Sequence, residues 1–243
     1  MRGSLLTYLC EGGAFGAWQA GRGRGRYPDV LQERLRVAFR RFGEWKKQKG
    51  LVSTQARFTC ARLNRKLRSD FPCLSSKGIA SKRLSFWLAD VAVEWANREE
   101  ATELDKLVAS CAYSYVSFLQ MIDEYPLVLT RRQAQNIFKA GLTHLQTYSR
   151  LRSLSSEVVG AHANNRCLWQ LAPKHHYMMH ELDTVKRTRI NCRHFTLLTG
   201  EGFMGVISRM ARPCHRSNVS KRVLQRYKVK LALSLRRHFA RRD

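Results

Sequence analysis

The sequence predicts a mainly α-helical protein, a helical bundle with a small α+β part toward its C-terminus. Three observations carry that prediction. Apolar residues recur at three- and four-residue steps over most of the chain. The breaks between these runs fall at proline, glycine and capping residues. One short segment, Asn191 to Leu198, has strand-like composition and runs into a Thr199-Gly200-Glu201-Gly202 turn. With 44% hydrophobic and 10% aromatic residues over 243 positions the chain can bury a core, which excludes a wholly disordered basic polypeptide.

Taken in order, the first 26 residues hold seven glycines and end in Gly21-Arg22-Gly23-Arg24-Gly25-Arg26, without an apolar period. A disordered Gly/Arg arm is expected over residues 1–28. Three roles stay open for it: an arm that contacts phosphates and stacks on bases, a leader without a role, or an Arg-rich organelle presequence. From Pro28-Asp29 to Gly50 the spacing of Leu31, Leu35, Ala38, Phe39, Phe42 and Trp45 predicts an amphipathic helix. Its other side carries Arg34, Arg36, Arg40, Arg41, Lys46 and Lys47. Residues 51–80 lack a period, and Phe71-Pro72-Cys73 argues for loops and turns, studded with Arg57, Arg62, Arg65, Lys66 and Arg68. Residues 29–85 are thus read as a basic helix followed by loops.

Residues 86–172 read as a helical core. One stripe is Leu84, Trp87, Leu88, Val91, Ala92 and Trp95, and a second runs from Leu104 through Val108, Cys111, Tyr115 and Leu119 to Ile122, stopped by Pro126. Thr130 and Gln133 have capping-box spacing ahead of a third stripe, Ala134 to Leu151. Trp87, Trp95, Leu107, Leu119, Ile137 and Leu145 are the expected core. Residues 173–243 form a basic C-terminal region. In it, Pro173 opens the run Lys174 to His180, Phe203 to Arg212 is a short helix ending before Pro213, and a last helix runs from about Asn218 to Phe239. Val219, Val223, Tyr227, Leu231 and Leu235 share one of its faces.

Charge narrows the class of partner. The chain has 44 Lys and Arg against 18 Asp and Glu, a formal +26. Residues 29–85 carry fifteen bases and four acids and residues 161–243 eighteen and four, while residues 86–160 carry seven and nine. Two basic flanks around a near-neutral middle point to a polyanion, DNA or RNA. The residues expected to carry phosphate contact are Arg36, Arg40, Arg41, Lys46 and Lys47 in the first basic helix, and Lys221, Arg222, Arg226, Lys228 and Lys230 in the last. Uninterrupted apolar runs are only a few residues long, far short of the roughly 18–20 that cross a bilayer, so no membrane partner is expected. Seven cysteines without a CxxC pair read as reduced thiols. The expected location is intracellular, with the nucleus favoured.

Candidates for chemistry are few. On a helix, His176 and His180 would project from one face about 6 Å apart, as a shared divalent metal requires. Cys192, His194, Cys214 and His215 follow close enough downstream to complete four ligands. The spacings match no standard finger. The same residues also fit histidines donating to backbone or phosphate beside neutral thiols, so no metal or other cofactor is assigned. Acids are scarce in the C-terminal third, where Glu181, Asp183 and Glu201 are the candidates, and GxSxG, GxxxxGK[ST] and GxGxxG motifs on a strand–turn–helix are missing. No catalytic residue is assigned, and activity of this chain alone is not expected.

Pro173-Lys174-His175-His176-Tyr177-Met178-Met179-His180, followed by Gly200-Glu201-Gly202-Phe203-Met204-Gly205-Val206-Ile207-Ser208-Arg209, resembles the tail of eukaryotic DDE transposases of the Plavaka, KDZ and CACTA type, and of related basic protist proteins. The likeness spans about 40 residues. It implies the closing part of an RNase H-like domain, with Glu201 at the position of the last metal-binding acid. No strand carrying the first two aspartates is found, so the resemblance implies either a fragment or a domain that has lost catalysis.

Overall fold

A computed structural model describes residues 1–17, 26–157, 168–194 and 206–239. The described residues are mainly helical: α1 (Arg2–Gly12), α2 (Tyr27–Gln48), α3 (Gly78–Ala96), α4 (Glu103–Glu124), α5 (Arg131–Glu157), α6 (Pro173–Thr188), α7 (residues 206–211) and α8 (Val219–Phe239). Two compact units are present, Met1–Cys192 and Arg193–Asp243. The sequence suggests borders at 85/86, from charge, and at 172/173, from Pro173. The first of these falls inside α3, and α6 packs on α5 within the first unit. Charge reports the polar faces of the helices, whereas compactness is decided by their apolar faces.

The first unit is built around α3, α4, α5 and α6, each packed on the next, with α1 against α2 and α3. Its larger apolar cluster joins Leu5, Leu9 and Phe15 to Leu31, Leu35 and Phe42 of α2, Phe58 and Leu63 of the following loop, and Trp87 and Leu88 of α3. A smaller one collects Phe118, Leu119 and Ile122 of α4, Ile137 of α5, Leu182 and Val185 of α6, and Cys192. Trp87, Leu119 and Ile137 are buried as expected, while Trp95, Leu107 and Leu145 pack half-buried at the edges. α5 and α6 approach closely because Gly141 has no side chain: a Cβ there would stand 2.5 Å from Leu182 Cδ2.

Caps define the middle helices. Thr102 and Asp105 form a capping box at α4, with the Asp105 amide donating to Thr102 Oγ1 at 3.2 Å. At α5 the Gln133 amide donates to Thr130 Oγ1 at 3.2 Å and the Thr130 amide to Gln133 Oε1 at 2.9 Å, the arrangement the sequence predicts. The end of α4 is closed from a distance, where buried Asn191 donates through Nδ2 to the carbonyls of Ile122 and Tyr125.

Two expectations need correction. Residues 1–17 are not a disordered arm: α1 buries Leu5, Leu6, Leu9 and Cys10, and its glycines serve the packing instead of loosening it. Gly13 ends the helix in the left-handed region at φ 97°, which a residue without a Cβ adopts freely. The Arg-Gly run over 21–25 lies outside the described residues. The segment read as strand-like opens instead with a 3₁₀ turn at Cys192–His194, after an isolated antiparallel bridge between Val128 and Ile190. Residues 195–205, which hold the rest of it and the expected turn, lie outside the described residues.

In the second unit α7 packs on the first half of α8, where Ile207 and Ala211 meet Val219, Val223, Leu224 and Tyr227 around a cleft of about 470 Å³. Arg226 Nη1 donates to the Met210 carbonyl at 3.0 Å. The apolar face continues past this contact, leaving Leu224 and Leu231 55% and 45% exposed.

Candidate nucleic-acid interface

α2 has one buried stripe, Leu31, Leu35, Ala38 and Phe42, so everything opposite faces outward. The structure sorts the cations of this helix into two groups. Arg34, Arg41 and Lys46 are engaged within the protein. Arg34 Nη2 donates to the Ala17 carbonyl at 2.6 Å and Arg41 Nη1 to the Ala14 carbonyl at 3.0 Å, which ties α2 to the end of α1. Arg41 also lies over the Phe15 ring, and Lys46 Nζ sits 5.1 Å from the Phe42 ring centre. These contacts do not withdraw the two cations the sequence expects at the interface: Arg41 stays exposed and Lys46 is half-buried.

Arg36, Arg40 and Lys47 are exposed, and at steps of four and seven residues they form one straight stripe about 16 Å long. Arg40 reaches Glu44 only at 4.0 Å, with both side chains largely exposed, so this pair ties the guanidinium weakly. Glu33 and Glu44 lie along one edge of the stripe. Between Arg40 and Lys47 the stripe passes over Gly43, where an added Cβ would meet nothing within 4 Å. A helix-interior glycine on an open surface costs about 1 kcal/mol relative to alanine. No packing contact requires it, and it leaves bare helix backbone in the middle of the cationic stripe. Sequence reasoning missed Gly43, because its significance depends on what surrounds it.

The loop after α2 presents Arg57, Arg62 and Lys66 to solvent, but Arg65 is completely buried. Its Nη2 meets Glu11 Oε1 at 3.0 Å, its Nε donates to Tyr27 Oη at 2.9 Å, and its Nη1 donates to the Asp70 carbonyl. Tyr27 in turn donates to Glu11 Oε1 at 2.6 Å. A charge can stay buried there because it is paired and its donors are satisfied. Arg65 therefore clasps α1, α2 and the loop together and is no part of the binding surface.

In the second unit Lys221, Arg222, Arg226, Lys228 and Lys230 are all exposed. By helical spacing Lys221, Arg222 and Lys228 lie away from the Val223, Tyr227 and Leu231 stripe, while Arg226 and Lys230 flank it. Residues 193–243 hold thirteen Lys and Arg and two acids, so local ion pairing leaves most of this charge uncompensated.

Of the residues considered for a metal, His176 and His180 come together on α6 with their Nε2 atoms 2.9 Å apart. Cys192 does not join them: it is fully buried with Leu182 and Val185, and burial pushes its thiol up to about 12. His194 is exposed in the 3₁₀ turn, and Cys214 donates to the Met210 carbonyl in the second unit. Among the described residues no three His, Cys, Asp or Glu side chains form a metal-holding group. Glu201 lies outside the described residues. A second Cys–His pair is internal: Cys111 Sγ and His144 Nδ1 are 3.5 Å apart and buried between α4 and α5. Burial raises the thiol to about 11 and lowers the imidazole to about 4, so both are neutral at pH 7 and the thiolate needed for nucleophilic chemistry is disfavoured. Among the described residues no helix is long and apolar enough to cross a membrane. No family model, curated protein or solved structure matches the chain.

Proposed function

We propose that this protein binds nucleic acid electrostatically, with little sequence preference, through the Arg36–Arg40–Lys47 stripe of α2 and the cations of α8. The observation that carries the reading is the sorting of α2. Arg34, Arg41 and Lys46 contact carbonyls and rings, Arg41 while still exposed, and Arg36, Arg40 and Lys47 are exposed in register around a side-chain-free Gly43. Neutralising phosphates releases condensed counterions, so affinity falls steeply with salt. Base readout is not part of the proposal, since no base-reading motif is present. An intracellular, nuclear location and descent from a DDE transposase, as a remnant inactive on its own, belong to the same reading. They rest on the basic charge and on the Pro173–His180 and Gly200–Arg209 segments. A second reading, docking on an acidic protein or RNA scaffold, is favoured by exposed Leu224 and Leu231 beside the cations of α8.

Fluorescence anisotropy with duplex DNA, single-stranded RNA and an acidic protein at several salt concentrations tests the proposal. The expected result is tight, salt-steep binding to both nucleic acids. R36Q/R40Q/K47Q should lower the slope of log affinity against log salt on duplex DNA by about 0.9 for each phosphate that the variant no longer neutralises. Affinity independent of salt would refute the mechanism, and preference for the acidic protein would favour the second reading.

A further inference from the structure

We propose that His176 and His180 form a surface site for a divalent transition ion of the nickel, copper or zinc kind, chelated through their two Nε2 atoms. α6 is held from below, because Leu182 and Val185 are fully buried against the smaller apolar cluster, so the backbone that carries the two imidazoles is fixed by packing. The rings project on the exposed side, with centroids 4.4 Å apart and planes at 82°.

Two nitrogen lone pairs cannot face each other at 2.9 Å, so one ring holds a proton on Nε2 and donates it to the other. A metal ion bound to both nitrogens takes the place of that hydrogen bond from a point about 1.4 Å to the side of the line between them, on which both ring lone pairs converge after small rotations. Bonds of about 2.0–2.1 Å at right angles span about 2.9 Å between nitrogens, which is the edge of a square plane or octahedron. Tetrahedral zinc needs an opening of only about 0.4 Å. On metal binding the donor ring moves its proton to Nδ1, and both rings ligate as neutral imidazoles without net proton loss. Asp183, seven residues after His176, lies on the same side by helical spacing and adds negative charge. Water fills the remaining positions, which makes the ion exchangeable.

Calorimetric titration of the full chain with Ni²⁺, free of nucleic acid, tests the site independently of the proposed function. The wild type is compared with H176Q, H180Q and H176Q/H180Q, whose shared cysteines supply the same background. Each single variant should weaken binding by about tenfold or more, and the double variant by little further, because either substitution already destroys the chelate. Circular dichroism should be unchanged, since both side chains are exposed. Unchanged affinity in either single variant, or additive weakening in the double variant, would overturn the proposal.

Discussion

Replacing Gly43 separates what the fold wants at this position from what the proposed ligand wants. The residue lies inside α2, and a Cβ there would enter open space, so G43A should gain the helix propensity that glycine forgoes. The expected gain is about 0.8–1 kcal/mol, or about 2–4 °C in the thermal midpoint for a unit of this size. G43E should gain a similar amount, because its carboxylate stands three residues after Arg40 and four before Lys47, the favourable order for a Glu–Lys pair. Those same pairs would compete with phosphate for the two cations. G43E should therefore be more stable than wild type yet bind duplex DNA with a salt slope reduced by about 0.9–1.8, whereas G43A should bind nearly as wild type. Thermal melts and anisotropy salt titrations on the three proteins provide the readouts. A G43E variant that binds with the wild-type slope would show that the ligand does not use this stripe, and a G43A variant no more stable than wild type would refute the open-surface argument.

Two further predictions address the first unit. R65M should destabilise it by about 3 kcal/mol in urea unfolding, because the nearly buried Glu11 carboxylate would lose its close guanidinium partner and keep only Arg68 at 3.9 Å; R65M/E11Q should recover part of that stability, and a double variant no better than R65M would refute the clasp. His144 should make stability fall with acid. Its folded-state pKa of about 4 lies below the unfolded value of about 6.5, so between these values the unfolded chain binds the extra proton, and stability that is full above pH 6.5 is lost as pH falls toward 4. The stability gap between wild type and H144Q should narrow by about 2–3 kcal/mol from pH 7.5 to 4.5 in urea melts, and a constant gap would show that the imidazole is not held neutral by burial.

Helices were legible in the sequence wherever a local pattern suffices to specify them. The apolar spacing of Leu31, Leu35, Ala38 and Phe42 returns as the buried face of α2, and Thr130 caps α5 with Gln133, because a 3.6-residue period and an i to i+3 hydrogen bond involve only near neighbours. The direction of charge was legible for the same reason, since adding up Lys and Arg needs no geometry. What each charge does was not. Arg41 looks like Arg40 in sequence, yet its guanidinium finds the Ala14 carbonyl 27 residues away. Arg65 is buried by Glu11, 54 residues away, in a segment whose glycines make it read as disordered. Cys192 enters an apolar cluster and leaves the histidines of α6 to each other. These outcomes depend on which distant backbone groups and side chains arrive at one place. The amino-acid order alone therefore determined the amphipathic helices from α2 onward and the sign of the chain's own charge, while the long-range packing decided which cations are drawn into the fold and whether the glycine-rich start forms a helix.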